Sequence, residues 1–307
     1  MTSRQRPTAL VLGTSGLGSG DEESAVDTAV ALLRSEYLID TSNIYSGGAS
    51  ERVLGRALST LAPEERASAA GRILTKVDRD PETGRFDADR VLRSVEESLG
   101  RLGVDQVPLL HLHDPYVLTV REALAPGGAV SALVRLREEG VAAAIGIAAG
   151  PVPLVQRYVD SGLFDAVLCH NRYTLVDRSA ASLFRDAHER GMRVFNAAPF
   201  GGDLLARGPR DGARYQYKPA SAELLAWTAR AEAVCARHAV PLPALALSLS
   251  LRAETIDGTV VGVSSPARLD SLEQLAATEI PDALWGELDA LGPAPSPIDD
   301  SAYGEDE

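Results

Sequence analysis

Tyr37-Leu-Ile-Asp40-Thr-Ser-Asn-Ile-Tyr45 is a short apolar run that ends on an acid and, five residues later, a phenol. The same arrangement returns twice downstream. Ile73-Leu-Thr-Lys76 ends on an amine, and Val107-Pro-Leu-Leu-His-Leu-His113 ends on an imidazole. Runs this short and this apolar are expected of parallel strands covered on both faces. In a (β/α)8 barrel the carboxyl ends of such strands form the face that carries chemistry. Asp40, Tyr45, Lys76 and His113 are therefore expected to converge.

Outward from these three runs the pattern continues. Further strand-like segments are Ala9 to Leu12, Ala143 to Ile147, Ala166 to His170, Arg193 to Asn196 and Thr259 to Gly262, making eight with the others. Helical spacing fills the intervals: Glu22 to Arg34, Ala49 to Leu61, Asp87 to Leu102, Ala129 to Glu139, Pro153 to Ser161, Ser179 to Arg190 and Ser221 to His238. Three later segments, Ala244 to Arg252, Pro266 to Ala277 and Asp282 to Leu291, also read as helices. Eight alternations of strand and helix favour an α/β protein of the closed (β/α)8 TIM barrel type over an open doubly wound sheet. Gly100, Gly140, Gly162 and Gly191 are read as left-handed helix stops. Thr14 to Asp21, Asp114 to Arg121 and Gly201 to Lys218 are the loops expected on the functional face.

Composition bounds the function. A chain of 307 residues, 45% hydrophobic, is long enough for one large barrel, and no Gly- or Ser-rich linker divides it, so residues 1–307 are expected to form a single domain. The net charge of −13 argues against a nucleic-acid surface, which needs clustered Lys and Arg. The acidic end, Asp299 to Glu307, reads as a solvated, frayed tail. The start, Met1 to Pro7, carries no signal-peptide core, and no stretch approaches 18 consecutive apolar residues, so a cytoplasmic protein without a membrane partner is expected. Cys169 and Cys235 lie in apolar runs and are expected as buried free thiols.

A carbonyl that accepts hydride develops negative charge on oxygen and needs a proton donor beside it. A tyrosine has a reference pKa of about 10, and a neighbouring cation favours its phenolate. Lys76 is expected to lower the Tyr45 pKa in this way, with Asp40 holding the ammonium and His113 donating a second hydrogen bond to the substrate oxygen. Run in reverse, the same four groups oxidise an alcohol.

The motifs Asp40-Thr-Ser-Asn-Ile-Tyr45, Ser50-Glu51 with Leu54-Gly-Arg-Ala-Leu58, Leu74-Thr-Lys76-Val and Leu112-His113-Asp-Pro resemble those of the aldo-keto reductases over roughly Thr8 to Gly292. The resemblance implies an NAD(P)-dependent enzyme that interconverts a carbonyl and an alcohol or lactol. In it Tyr45 is the general acid/base, Asp40 and Lys76 tune it, and His113 orients a small-molecule substrate. Asn171 to Asp177, Phe195 to Gly201 and Tyr217-Lys-Pro-Ala are most similar to the aldose and galactose dehydrogenase branch, while a natural-product ketone reductase is a related possibility.

The resemblance also locates the cofactor and shows departures around it. The dinucleotide phosphates are implied over Pro199, Phe200, Gly201 and Gly202 and over Gly262, Val263, Ser264 and Ser265. Where many members carry Ser-Asn this chain has Ala148 and Ala149, and where they carry an aromatic platform it has Ala197. That leaves His170 as the side chain toward the nicotinamide. NADP(H) is the family default, but Gly262 and Ser264 stand where cations are frequent and only Arg268 is retained, so NAD(H) competes.

Two other readings place the same residues differently. His111 and His113 alternate on one strand, as zinc ligands of a barrel hydrolase would, but the other histidines do not complete a set, and no metal is expected. A nucleotide-binding regulatory subunit without turnover is the second. The sequence leaves oligomeric state open.

Overall fold

The computed structural model describes residues 9–304, so the Met1 to Pro7 start and the last three acidic residues lie outside the described part. Eight parallel strands close into a barrel: β1 (Ala9–Gly13), β2 (Leu38–Asp40), β3 (Ile73–Val77), β4 (Leu110–His113), β5 (Ile145–Ala149), β6 (Ala166–His170), β7 (Arg193–Ala197) and β10 (Gly258–Gly262). β1 pairs with both β2 and β10, which removes every open edge. Between β7 and β10 the long loop folds into a small hairpin of β8 (Arg214–Tyr215) and β9 (Lys218–Pro219).

Side chains alternate along each strand, and this alternation divides the core into layers. Val11, Leu74, Leu109, Ala148, Leu168, Phe195, Ala197 and Val260 pack inside the barrel. Residues of the opposite phase, such as Leu12, Ile39, Val77, Leu112, Ile147 and Val261, pack outward against the helices. His111 is accommodated inside because β5 carries Gly146 beside it: a Cβ there would lie 2.3 Å from the imidazole Nδ1. The inward phase, followed to the carboxyl ends, leads to Gly13, Asp40, Lys76, His113, Ala148, His170, Ala197 and Gly262. One rim thus gathers residues separated by more than two hundred positions in sequence.

The helix boundaries follow local chemistry. Glu22–Arg34 begins behind Asp21, whose side chain accepts from Ser24 N, and Ala88–Leu102 and Ala222–Arg237 are capped in the same way by Asp87 and Ser221. Gly140, Gly162 and Gly191 adopt positive φ as expected, but Gly100 lies inside Ala88–Leu102, and the left-handed stop is Gly103. A helix not expected from the sequence, Pro63–Ala70, starts on a proline whose missing N–H costs nothing at that position. β5 lies two residues later than expected, because the small residues on either side of Ile145 carry no boundary signal.

The acidic end departs from the expectation of a frayed tail as far as Gly304. Asp300 is nearly buried and forms an ion pair with Arg172 at 2.6 Å, and it also accepts from Val152 N at 3.0 Å. Tyr303 packs its ring against Tyr116 at 5.7 Å between centroids. Cys169 and Cys235 are unpaired and buried. Among the described residues no single helix is long and apolar enough to cross a membrane.

Candidate active site

The turn after β2 carries the phenol back over the barrel mouth. Ser46, Gly47 and Gly48 all have positive φ, and the space a Cβ would take at Gly48 is filled by the Arg101 guanidinium, 2.6 Å away. Arg101 donates to Asn43 O at 2.9 Å and to Glu51 Oε2 at 3.0 Å, and Asn43 donates to Ser94 O at 3.0 Å and receives Arg90 Nη2 at 3.1 Å. These buried polar partners satisfy one another and hold the 41–48 turn in one conformation. Arg90, Glu97 and Arg101 lie along one helix, and their role at the turn could not be read before the helix was docked there.

The four converging groups are in place. Lys76 Nζ donates to Asp40 Oδ2 at 2.7 Å, Thr41 O at 2.8 Å and Tyr45 Oη at 3.0 Å, which uses all three of its protons. Lys76 and Asp40 are both almost fully buried. Burial alone would depress the Lys76 pKa, but Asp40 and the Tyr45 oxygen outweigh it and keep the amine a cation. The His113 ring stands edge-on to Tyr45, 5.8 Å between centroids.

One electrostatic expectation is overturned. Tyr45 was expected to have its pKa lowered by Lys76; instead burial pushes it up to about 12, with Lys76 opposing and Asp40 cancelling part of that opposition. The ammonium is already neutralised by a carboxylate 2.7 Å away, so it offers the phenolate less than a lone cation would. The phenol is therefore held protonated as a donor.

A residue absent from the sequence reading completes the site. Asp78 places Oδ1 2.7 Å from His113 Nδ1, and its Oδ2 accepts from Ser42 Oγ at 2.5 Å and from Ile44 N at 3.2 Å. It stands two residues beyond Lys76, in the same inward phase, and that spacing is the signal by which it could have been found. His111, by contrast, sits in the interior against Phe195, 6.2 Å between ring centroids, where burial pushes its pKa well down. Among the described residues no group of three metal-ligating side chains occurs.

On the cofactor side the structure separates residues that the sequence grouped together. Ala148 faces the barrel interior, whereas Ala149 packs in the outer layer. His170 reaches the rim with Nε2 3.5 Å from Asp114 Oδ1 and its Nδ1 3.0 Å from Asn171 Nδ2. Pro199, Phe200, Gly201 and Val263 are buried, so they offer a ligand backbone at most, while Gly202, Gly262 and Ser264 are exposed. Gly201 is required by packing, since a Cβ on it would meet the Tyr215 ring at 2.1 Å. Ser265 caps Pro266–Ala276, accepting from Arg268 N, and that helix N-terminus points its free N–H groups to the rim. Arg268 lies over the Phe200 ring at 5.7 Å and has no carboxylate partner among the described residues. An unpaired guanidinium beside a helix N-terminus and an open Gly262 fits a phosphate-bearing dinucleotide.

Comparison with known proteins agrees with this geometry. Residues 9–293 match the aldo/keto reductase family. The chain is 34% identical to a D-threo-aldose 1-dehydrogenase from a Pseudomonas species, over 94% of this chain and 95% of that protein. It is 32% identical to L-galactose dehydrogenase from Arabidopsis thaliana, over 92% of this chain and 86% of that one. In fold it is similar to an aldo-keto reductase from Bacillus halodurans in its holo form, with a TM-score of 0.75 at 23% identity over 98% and 99% of the two chains. The chain belongs to the aldo/keto reductase family. It is accordingly an NAD(P)-dependent oxidoreductase that interconverts carbonyl and alcohol by hydride transfer.

Proposed function

We propose that this enzyme is an aldose 1-dehydrogenase-type oxidoreductase, acting in the cytoplasm on the lactol hydroxyl of a small sugar or on a closely related polar carbonyl. The observation that carries the reading is the Asp40–Lys76–Tyr45 chain, 2.7 and 3.0 Å long, at the rim beside His113. Similarity above 30% to an aldose and a galactose dehydrogenase supports the sugar class.

In this reading the nicotinamide ring supplies or accepts the hydride. Tyr45 gives its phenolic proton to the developing alkoxide, and Lys76, fixed by Asp40, stabilises the oxygen that remains. His113 binds the same substrate oxygen and sets its direction. His170 is the side chain that faces the nicotinamide, since Ala148 and Ala197 contribute none. The backbone at Pro199, Phe200, Gly201 and Gly202 and at Gly262, Val263, Ser264 and Ser265 approaches the phosphates, and Arg268 supplies the one retained cation for a 2′-phosphate. Both NADP(H) and NAD(H) are accommodated on that account.

A panel of aldoses, lactols, aldehydes and ketones, followed by nicotinamide absorbance in both directions, tests the substrate class; turnover confined to ketones would overturn it. Arg268→Ala tests the cofactor assignment through measured dissociation constants. It should weaken NADPH at least about tenfold more than NADH, as expected when a charge-assisted contact worth about 1.5–3 kcal/mol is lost. Equal losses would place Arg268 away from the 2′-phosphate.

A further inference from the structure

Asp114 follows His113 with a φ of 42°, in the left-handed region that few side chains enter. Its N–H donates to Ala148 O at 2.9 Å and its carbonyl accepts from Tyr116 N at 2.7 Å, so the main chain is fixed on both sides. Gly or Asn would serve that backbone as well. The carboxylate therefore needs a reason of its own. It stands between the two imidazoles of the rim, with Oδ2 3.8 Å from His113 Nε2 and Oδ1 3.5 Å from His170 Nε2. Both separations exceed an N–H···O hydrogen bond. Oδ1 is buried and has no hydrogen-bond partner among the described residues. The Tyr116 hydroxyl, which itself accepts from Gly150 N at 3.1 Å, is a further polar neighbour.

The group stays ionised in this setting. Burial works against its charge, but His170, His113 and Tyr116 outweigh it and hold the Asp114 pKa well below the ordinary carboxylate range. An ionised carboxylate has only lone pairs to offer, so the partner it lacks is a donor. The side chain is 36% exposed, which leaves it open to a ligand in the barrel mouth.

We propose that Asp114 binds the hydroxyl on the carbon next to the reacting one, and so selects 2-hydroxy carbonyls and the corresponding lactols. The inference rests on the sugar reading of this site and names the sugar hydroxyl that is recognised. His113 Nε2 is the atom assigned to the reacting oxygen, and Asp114 Oδ2 is its neighbour. Adjacent oxygens of a sugar lie about as far apart as two hydrogen-bonded oxygens. A substrate held by His113 through the first oxygen thus brings the second within reach of Oδ2. Proton transfer stays with Tyr45, and the hydroxyl at Asp114 keeps its own proton and shares it in a hydrogen bond. A substrate without that hydroxyl strips water from the carboxylate and returns nothing, which is the source of the discrimination.

The test uses substrate pairs that differ by one hydroxyl, lactaldehyde against propanal and hydroxyacetone against acetone, each reduced with NADH and with NADPH. The wild-type enzyme should favour the hydroxylated member in kcat/KM by at least about tenfold, the scale of one charge-assisted hydrogen bond. Asp114→Gly removes the carboxylate and suits the positive φ, and in it the preference should disappear. Asp114→Asn keeps an acceptor without the charge and should be intermediate, so either variant that folds gives an answer. A wild-type enzyme without the preference, or one that reduces neither hydroxylated compound, would overturn the proposal. So would variants in which both members of a pair fall equally, since Asp114 would then act on His113 or on the cofactor. A preference that disappears as expected, in an enzyme that turns over no aldose or lactol, would keep Asp114 in this role and count against the sugar reading alone.

Discussion

Tyr45 contributes one oxygen to the site, and replacing it isolates that oxygen. In Tyr45→Phe the ring can keep its edge-on contact with His113 and its place 4.5 Å from the Lys76 ammonium, so the protein should fold. Turnover should fall by at least about two orders of magnitude, the usual worth of positioned proton transfer being about 10²–10⁴. Steady-state rates on the folded variant check this, and near-normal turnover would remove Tyr45 from the chemistry. His170→Ala addresses ring placement instead. The phosphate contacts proposed above are made by the segments after β7 and β10 and not by His170, so dinucleotide affinity measured by fluorescence should change little. The single-turnover hydride-transfer rate should drop, because an error of about 1 Å in placement can cost about 10²-fold. An unchanged transfer rate would leave His170 a structural strand-end residue tied to Asp114 and Asn171.

The Pro297 to Gly304 segment decides more than its composition suggests. Its acidic residues read as solvated, yet Asp300 reaches into a site formed by Arg172, after β6, and Val152 N, at the start of the helix that follows β5. Both partners of the ion pair are about 10% exposed, so removing one leaves a buried charge without compensation. Asp300→Ala should therefore destabilise the protein by about 3 kcal/mol, at the lower end of what breaking a buried pair costs. Urea unfolding of the variant beside the wild type measures it, and a loss below about 0.5 kcal/mol would show that the pair is wet and dispensable. The docked Tyr303 covers Tyr116 in the loop after β4, so the variant should also loosen that loop, visible as faster amide exchange around Tyr116 and Gly150.

At the scale of the molecule, pH acts on β4 from two sides. His111 is buried neutral with its pKa well below the ordinary value, so the unfolded chain takes up a proton that the native one refuses, and stability falls as pH drops below about 6.5. His113 has the opposite shift. Its contribution is fully present below about 6.5 and is lost as pH rises through its raised folded value. Carboxylates with lowered values, Asp114 and Glu97 among them, add a further loss in acid, below about pH 4. Thermal midpoints measured from pH 4 to 9 should peak near 6.5, and Asp78→Asn should flatten the alkaline side alone. A wild-type midpoint that is level from pH 6.5 to 9 would contradict the raised His113.

The closed barrel and its four converging groups were legible in the sequence because both depend on local periodicity. Short continuous apolar runs end on Asp40, Lys76 and His113, and a parallel strand has only one carboxyl end on which to place them. Helix starts at Asp21, Asp87 and Ser221 were equally local, since a cap bonds within three residues. What required the tertiary structure were charges whose partners are distant in sequence. Asp78 became part of the site only when β3 and β4 stood side by side, and Asp300 became a nearly buried ion-pair partner only when Arg172 was brought to it across 128 positions. The Tyr45 phenol could be assigned a neighbouring cation from sequence, but the sign of its shift depended on burial and on Asp40 cancelling that cation. Spacing along a chain specifies which groups line one face, whereas solvation and the balance of charges around a group exist only once the chain is packed.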